Sequence, residues 1–161
     1  MFPDDMLSQA AALIRACEGR GLMLATAESC TGGLIAGCLT SVAGSSAVVE
    51  RGFVTYTNAA KQQMLGVPPA LFDSVGAVSA EVARAMADGV LRAAPVQLAL
   101  SVTGVAGPGA SERKPAGLVY IGCALDGAET EVAEHRFSGD RQAVRLASVA
   151  AALEMALRRL A

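Results

Sequence analysis

Ala27-Glu28-Ser29-Cys30-Thr31-Gly32-Gly33 sets a hydroxyl, a carboxylate and two glycines between two apolar runs, Leu22 to Thr26 and Leu34 to Leu39. The first run predicts a short buried strand and the second the opening turns of a helix. Ser29 then sits on a turn held between two rigid elements. The backbone N–H groups at the start of a helix lack partners and carry partial positive charge, so they favour a phosphate or a developing oxyanion. Thr31, Gly32 and Gly33 are the residues placed to offer them. The same residues also admit a structural reading, in which Ser29 or Thr31 caps the helix and the glycines permit close packing.

A serine needs a base before it attacks anything. The chain has one histidine, His135, on a charged stretch that reads as an edge strand, which leaves Ser-His-Asp chemistry and multi-histidine metal sites without their imidazole. Lys61 is the alternative base. With Asn58 read as a helix cap, Lys61 falls in the first turn, where the helix dipole opposes an ammonium and helps it shed its proton. An ordinary lysine has a pKa near 10.4, so a useful base near neutrality needs a fall of roughly 3, on the order of 4 kcal/mol, most of which burial must supply. Tyr56, at the end of the preceding strand, could relay a proton between Ser29 and Lys61, or could be a strand aromatic and no more. Cys30 is a second candidate nucleophile if its thiolate is stabilised.

A further loop has the same placement. Gln97 to Thr103 reads as a strand running into Thr103-Gly104-Val105-Ala106-Gly107-Pro108-Gly109. Its glycine spacing is not that of a dinucleotide fingerprint, and no Gly-Lys-Ser/Thr follows, so it reads as a loop of close approach to an unspecified ligand. Arg141, at the start of the last helix, is the fixed cation best placed for a phosphate. Cys17, Cys30, Cys38 and Cys123 show no C-x-x-C pairing and predict neither a zinc site nor a disulfide framework.

The elements that must position these residues follow from hydrophobic period. A helix starts at Asp4 with Leu7, Ala11, Ile14 and Cys17 on one face and closes at Gly19 to Gly21. A strand runs from about Val48 to Thr57, and a short helix carries Lys61, Met64 and Leu65. A connector then leads to Gly76, and Ser79 caps a longer helix through Ala93. Strands follow at Gln97 to Thr103, Leu118 to Leu125 and Thr130 to Phe137, and a helix from Asp140 places Leu146, Val149, Leu153, Leu157 and Leu160 on one side. At 161 residues and 53% hydrophobic composition, this predicts one domain. Its architecture is a three-layer α/β/α sandwich with a mixed, mostly parallel sheet, in which ligands bind at the carboxyl ends of the strands. The net charge of −2 and the absence of long Lys/Arg runs argue against nucleic acid, and no stretch predicts a membrane span or a signal peptide, so a cytoplasmic location is expected.

Taken in order, the motifs Ala27 to Gly33, Ala43-Gly44-Ser45-Ser46, Arg51 to Tyr56, Asn58, Lys61, Gly76 to Ser79, Thr103 to Pro108 and Phe137 to Arg141 resemble the C-terminal domain of the competence/damage-inducible protein CinA. The resemblance runs from about Gly21 to the last helix. It is to the stand-alone form, since the chain has no room for the separate N-terminal domain of longer members. It implies a fold like the anticodon-binding domain, assembly as a homo-oligomer, expected here to be a dimer, and deamidation of nicotinamide mononucleotide to nicotinate mononucleotide and ammonia, without metal or other cofactor. It also implies that Ser29 is the nucleophile and Tyr56 and Lys61 its activating partners. Substrate contacts are expected from Thr31, Gly32, Gly33, Ser46, Asn58, Thr103, Gly104, Gly107 and Arg141. Two other functions are weighed. Short-chain dehydrogenases combine Ser, Tyr and Lys, but with Tyr and Lys four apart on one helix, whereas Tyr56 and Lys61 are five apart and Tyr56 ends a strand. A non-catalytic binding module of the same fold is the other, because a fold by itself implies no activity.

Overall fold

Strand β1 (Leu24–Glu28) lies at the centre of the site's scaffold, because every residue of it is buried and its carboxyl end delivers Ser29. The computed structural model describes residues 1–161. Four further strands, β2 (Val49–Val54), β3 (Leu98–Gly104), β4 (Leu118–Leu125) and β5 (Glu131–Arg136), complete a sheet in the order β2-β1-β3-β4-β5. β1 is parallel to β2 and β3, whereas β3 and β4, and β4 and β5, pair antiparallel, so β4 alone runs against the other four. The chain leaves β1 toward β2 and leaves β3 toward β4. That parting of connections opens a crevice at the carboxyl ends of β1 and β3.

Six helices cover the sheet: α1 (Asp4–Arg20), α2 (Leu34–Thr40), α3 (Asn58–Leu65), α4 (Pro69–Ser74), α5 (Ala80–Ala93) and α6 (Arg141–Arg159). Alternation along the strands divides the core. Leu24, Leu98, Leu100, Val102, Val119, Ile121 and Cys123 face α1, α2 and α6. Ala25, Ala27, Ala99 and Ala124 face α3 and α5 on the other side. The second face is small because α5 lies close against it: a Cβ at Gly122 would approach Ser101 Oγ to 2.5 Å and the Ala83 carbonyl to 2.9 Å. α3 and α5 meet as tightly, with Gly89 against the Leu65 carbonyl. This brings the helix carrying Lys61 down onto the sheet.

Local boundaries differ from the sequence reading in instructive ways. β1 runs two residues later than expected and so includes Glu28, a polar residue that is buried for a reason given below. Thr57, not Asn58, caps α3, its side chain accepting from the Ala60 N–H, so Lys61 lies one residue deeper in the helix than predicted. The expected connector before Gly76 contains α4, with Pro69 supplying a preset φ at its first position. The buried stripe of α1 is Met6, Ala10, Leu13, Ile14 and Cys17, turned from the predicted face because Leu7 and Ala11 are only half covered. Ser79 caps α5 and Asp140 caps α6, accepting from Val82 and Ala143 N–H respectively. No helix is long and apolar enough to cross a membrane.

Candidate active site

Ser29 follows the last residue of β1, with its N–H donating to the Val102 carbonyl of β3 at 3.0 Å. The turn after it is held from three directions. Gly32 and Gly33 take φ values of 60° and 102°, a region that costs an L side chain strain but a glycine none. Arg145, from α6, donates through Nε to the Cys30 carbonyl and through Nη2 to the Thr31 carbonyl, both at 3.1 Å. Glu28 holds the third side. Only 1% exposed, its carboxylate accepts from the Ile35 and Ala36 N–H groups at 2.8 and 3.0 Å and from the hydroxyls of Thr31 and Thr26 at 2.7 and 3.2 Å.

Glu28 therefore occupies the N-terminus of α2. The positive end of that helix, expected to greet a substrate anion, is spent on an internal carboxylate. The buried charge is tolerable because four donors solvate it. Thr31 consequently lies inside the fold with its hydroxyl on Glu28, and Gly32 and Gly33 lie away from the cavity. Of the N–H groups expected to face a ligand, that of Gly32 donates to the Ser29 carbonyl. The N–H of Cys30, next to Ser29 and on the cavity wall, donates to no other residue.

Lys61 approaches from α3 on the opposite side of the sheet. Its amine lies 3.0 Å from Ser29 Oγ and donates to the Thr55 carbonyl at 3.0 Å. Lys61 is 1% exposed, and no carboxylate lies within ion-pairing distance of it. Burial pushes its pKa below the ordinary lysine value, against smaller opposing effects of Cys30 and Glu112. A buried amine without a counter-ion favours its neutral form, whose lone pair can accept a proton. The Cys30 thiol, by contrast, is pushed up to about 11 by burial, which keeps it protonated and unreactive. The other three cysteines are free and buried as well.

Tyr56 stands at the rim, 57% exposed. Its hydroxyl accepts from Arg141 Nη2 at 2.8 Å and bonds neither Ser29 nor Lys61, so the expected relay between those two is not built. Lys61 reaches the serine directly and leaves no gap for it. Arg141 also donates through Nη1 to the Gly107 carbonyl at 2.6 Å, tying the rim to the β3–β4 loop.

These groups line a cavity of about 320 Å³, within the range of small-molecule sites. Ser29, Tyr56, Asn58, Lys61, Thr103, Gly104, Gly107 and Arg141 all border it. Thr103 keeps its hydroxyl on the Ala77 carbonyl, and Gly104 is small because a Cβ there would strike Val119. Of the expected contacts, Thr31, Gly32, Gly33 and Ser46 do not border the cavity, and Ser46 lies farthest away. It precedes β2, whose first residue pairs with the first residue of β1, so it lies at the amino end of the parallel strands. The sheet's length, about 17–20 Å for strands of this size, separates it from Ser29. His135 stacks on Phe137 with ring centroids 5.1 Å apart and takes no part in the cavity. Sequence reasoning overlooked Arg145 and the load on Glu28. Arg145 gave no signal, being one arginine on an amphipathic helix, whereas the acid preceding Ser29 lay within the recognised motif.

The model of the CinA C-terminal domain matches residues 7–160. A CinA-like protein of Geobacter sulfurreducens is 53% identical over 150 residues, covering 92% of the chain but 36% of that protein, so the chain spans about a third of this relative. The nicotinamide-nucleotide amidohydrolase PncC of Enterobacter agglomerans is 50% identical over 144 residues, 89% of the chain and 88% of that protein. In three dimensions, the crystal structure of the competence/damage inducible protein CihA from Agrobacterium tumefaciens superposes with a TM-score of 0.95 at 49% identity, covering 99% of the chain and 98% of that structure.

Proposed function

The chain belongs to the CinA C-terminal domain family, and from that premise we propose that it hydrolyses the carboxamide of nicotinamide mononucleotide, giving nicotinate mononucleotide and ammonia. The observation that carries the proposal is the buried, unpaired Lys61 amine 3.0 Å from Ser29 Oγ. A nucleophile within hydrogen-bond reach of a base, with the base oriented by a third group, is the arrangement covalent acyl transfer requires. The Thr55 carbonyl is that third group, because it takes one amine hydrogen and leaves the lone pair for the serine. The name of the PncC relative supports the choice of amide.

In the proposed reaction, neutral Lys61 takes the Ser29 proton as Oγ attacks the carboxamide carbon. The carbonyl π electrons move onto oxygen, where the Cys30 N–H stabilises the charge; such a donor contributes about 3–4 kcal/mol. Collapse of the tetrahedral intermediate breaks the C–N bond, and the Lys61 ammonium returns its proton to the departing nitrogen, which leaves as ammonia. A water, deprotonated by the same amine, then cleaves the ester and frees the carboxylate and Ser29. Arg141, fixed at the rim by Tyr56 and Gly107, is assigned to the phosphate. Asn58 and the loop from Thr103 to Gly107 complete the walls.

Ammonia release from nicotinamide mononucleotide, its riboside and free nicotinamide tests the reading. Turnover should fall from the mononucleotide to the riboside to the free amide. No ammonia from any of them, with the protein folded, overturns it.

A further inference from the structure

Three charged side chains border the cavity, and only one of them is an acid. Lys61 and Arg141 have been described; the third is Glu112, on the β3–β4 loop. Glu112 and Arg141 share one small cavity yet form no ion pair with each other. Each is instead held by main chain. Arg141 donates to the Gly107 carbonyl, and Glu112 accepts the Ala77 N–H through Oε2 at 3.1 Å. The carboxylate lies against Gly76, where a Cβ would come within 2.7 Å of Oε2.

The loop is also fastened on either side of that seat. Ser111 and Lys114 exchange backbone hydrogen bonds at 2.9 and 2.7 Å, and the Lys114 amine donates to the Val75 carbonyl at 2.6 Å and to that of Val78. Between them Glu112 and Arg113 adopt φ values of 51° and 63°. A two-residue hairpin turn of this kind requires positive φ at both central positions, so the turn itself fixes where Glu112 projects. A negative and a positive group fixed apart on one cavity complement a ligand that carries both signs at its two ends. Nicotinamide mononucleotide is such a molecule, with a quaternary ring nitrogen and a phosphate. The ring nitrogen is meta to the carboxamide, so it lies within one ring's width of the carbon that Ser29 attacks.

We propose that Glu112 determines specificity by setting its carboxylate against the cationic ring, so that the site selects a pyridinium amide over a neutral amide of the same shape. The inference rests on the function proposed above. It gives the exposed Glu112 a role at the cavity rim, since the cation would otherwise meet only Lys61 and Arg141, both of its own sign when charged. The contact is partly solvated, which limits its strength.

Titration calorimetry on the Ser29→Ala protein, which removes turnover, tests this with two ligands that differ in ring charge: nicotinamide mononucleotide and its reduced, neutral-ring form. Adding Glu112→Gln keeps an oxygen for the Ala77 N–H but deletes the charge. Affinity for the cationic ligand should fall about two- to fivefold with a much smaller change for the reduced one. Adding Glu112→Asp instead should retain the preference. Loss of the carboxylate also favours the neutral form of Lys61, which eases repulsion of the cationic ligand alone, so a fall in the ratio does not arise through Lys61. An unchanged ratio, or equal weakening of both, overturns the assignment of Glu112 while leaving the proposed function standing. Failure of the unmodified protein to release ammonia from nicotinamide mononucleotide, together with no binding, overturns both.

Discussion

Lys61 Nζ and Ser29 Oγ lie 3.0 Å apart although 32 residues separate them in the chain, and they reach one another from opposite sides of the sheet's carboxyl edge. Ser29 comes off β1 on the turn that enters α2, on one face. Lys61 comes from α3, which packs with α5 on the other. The pair is defined by the burial that their meeting enforces.

Replacing Ser29 with alanine should reduce ammonia release by at least about 10³-fold, as losses of a covalent nucleophile do. Binding of nicotinamide mononucleotide and the melting curve should be nearly unchanged. Near-normal turnover would remove Ser29 from the mechanism.

Lys61→Met should abolish turnover and yet stabilise the protein. The cavity wall would exchange a desolvated amine for an apolar chain of similar length, which removes a burial cost, and about 1 kcal/mol gained raises the melting temperature by roughly 2–4 °C. Lys61→Arg should be inactive and destabilised, because a guanidinium cannot become neutral there. Thermal denaturation alongside the ammonia assay reads both.

The pH dependence follows from the direction of the Lys61 shift. Its pKa in the folded protein lies below the ordinary value of 10.5, so the neutral base accumulates at lower pH than in an exposed lysine. The log of kcat/KM should rise with unit slope from acid pH and level off below 10.5. For stability the sign is the same. Between the folded and unfolded pKa values the unfolded chain binds more protons, so stability increases with pH through that window, and below it the full burial penalty applies. In Lys61→Met this component of the stability profile should vanish.

Glu28→Gln should destabilise the protein by about 2–3 kcal/mol, since hydrogen bonds to a charged acceptor are lost and an amide presents at least one donor to donors. Turnover should fall as well, because the turn carrying Ser29 is anchored there. Urea unfolding and ammonia release on the same sample report the two effects.

Tyr56→Phe separates the rim position from a proton relay. Loss of the Arg141 acceptor should raise KM a few-fold with little change in kcat, whereas a relay would lose kcat by about 10² or more. Steady-state kinetics at saturating substrate decides between them.

Much of this protein was determined by local sequence. Hydrophobic period placed the five strands and most of the helices within a few residues, and Ser79, Gly21 and Asp140 marked ends that the structure keeps. The same reading singled out Ser29 and Lys61, one because a hydroxyl stood at a strand–helix junction, the other because a cation stood in the first turn of a helix, where the dipole disfavours it. The tertiary structure alone decided how close the two come and what surrounds them. Small residues on one face of the sheet let α5 and α3 descend far enough to bury the amine, and no spacing along the chain encodes that depth. Glu28 illustrates the converse: as an isolated acid it reads as solvent-facing, yet four donors from β1, the following turn and α2 converge on it. Its carboxylate occupies the Ile35 and Ala36 N–H groups at α2's N-terminus. Ser46 was misplaced for a related reason, since a motif carries no record of which end of a parallel strand it flanks until the pairing β1 makes with β2 fixes the direction. Propensity and period act over a few residues, whereas desolvation and hydrogen-bond satisfaction are settled only among groups that distant segments bring together.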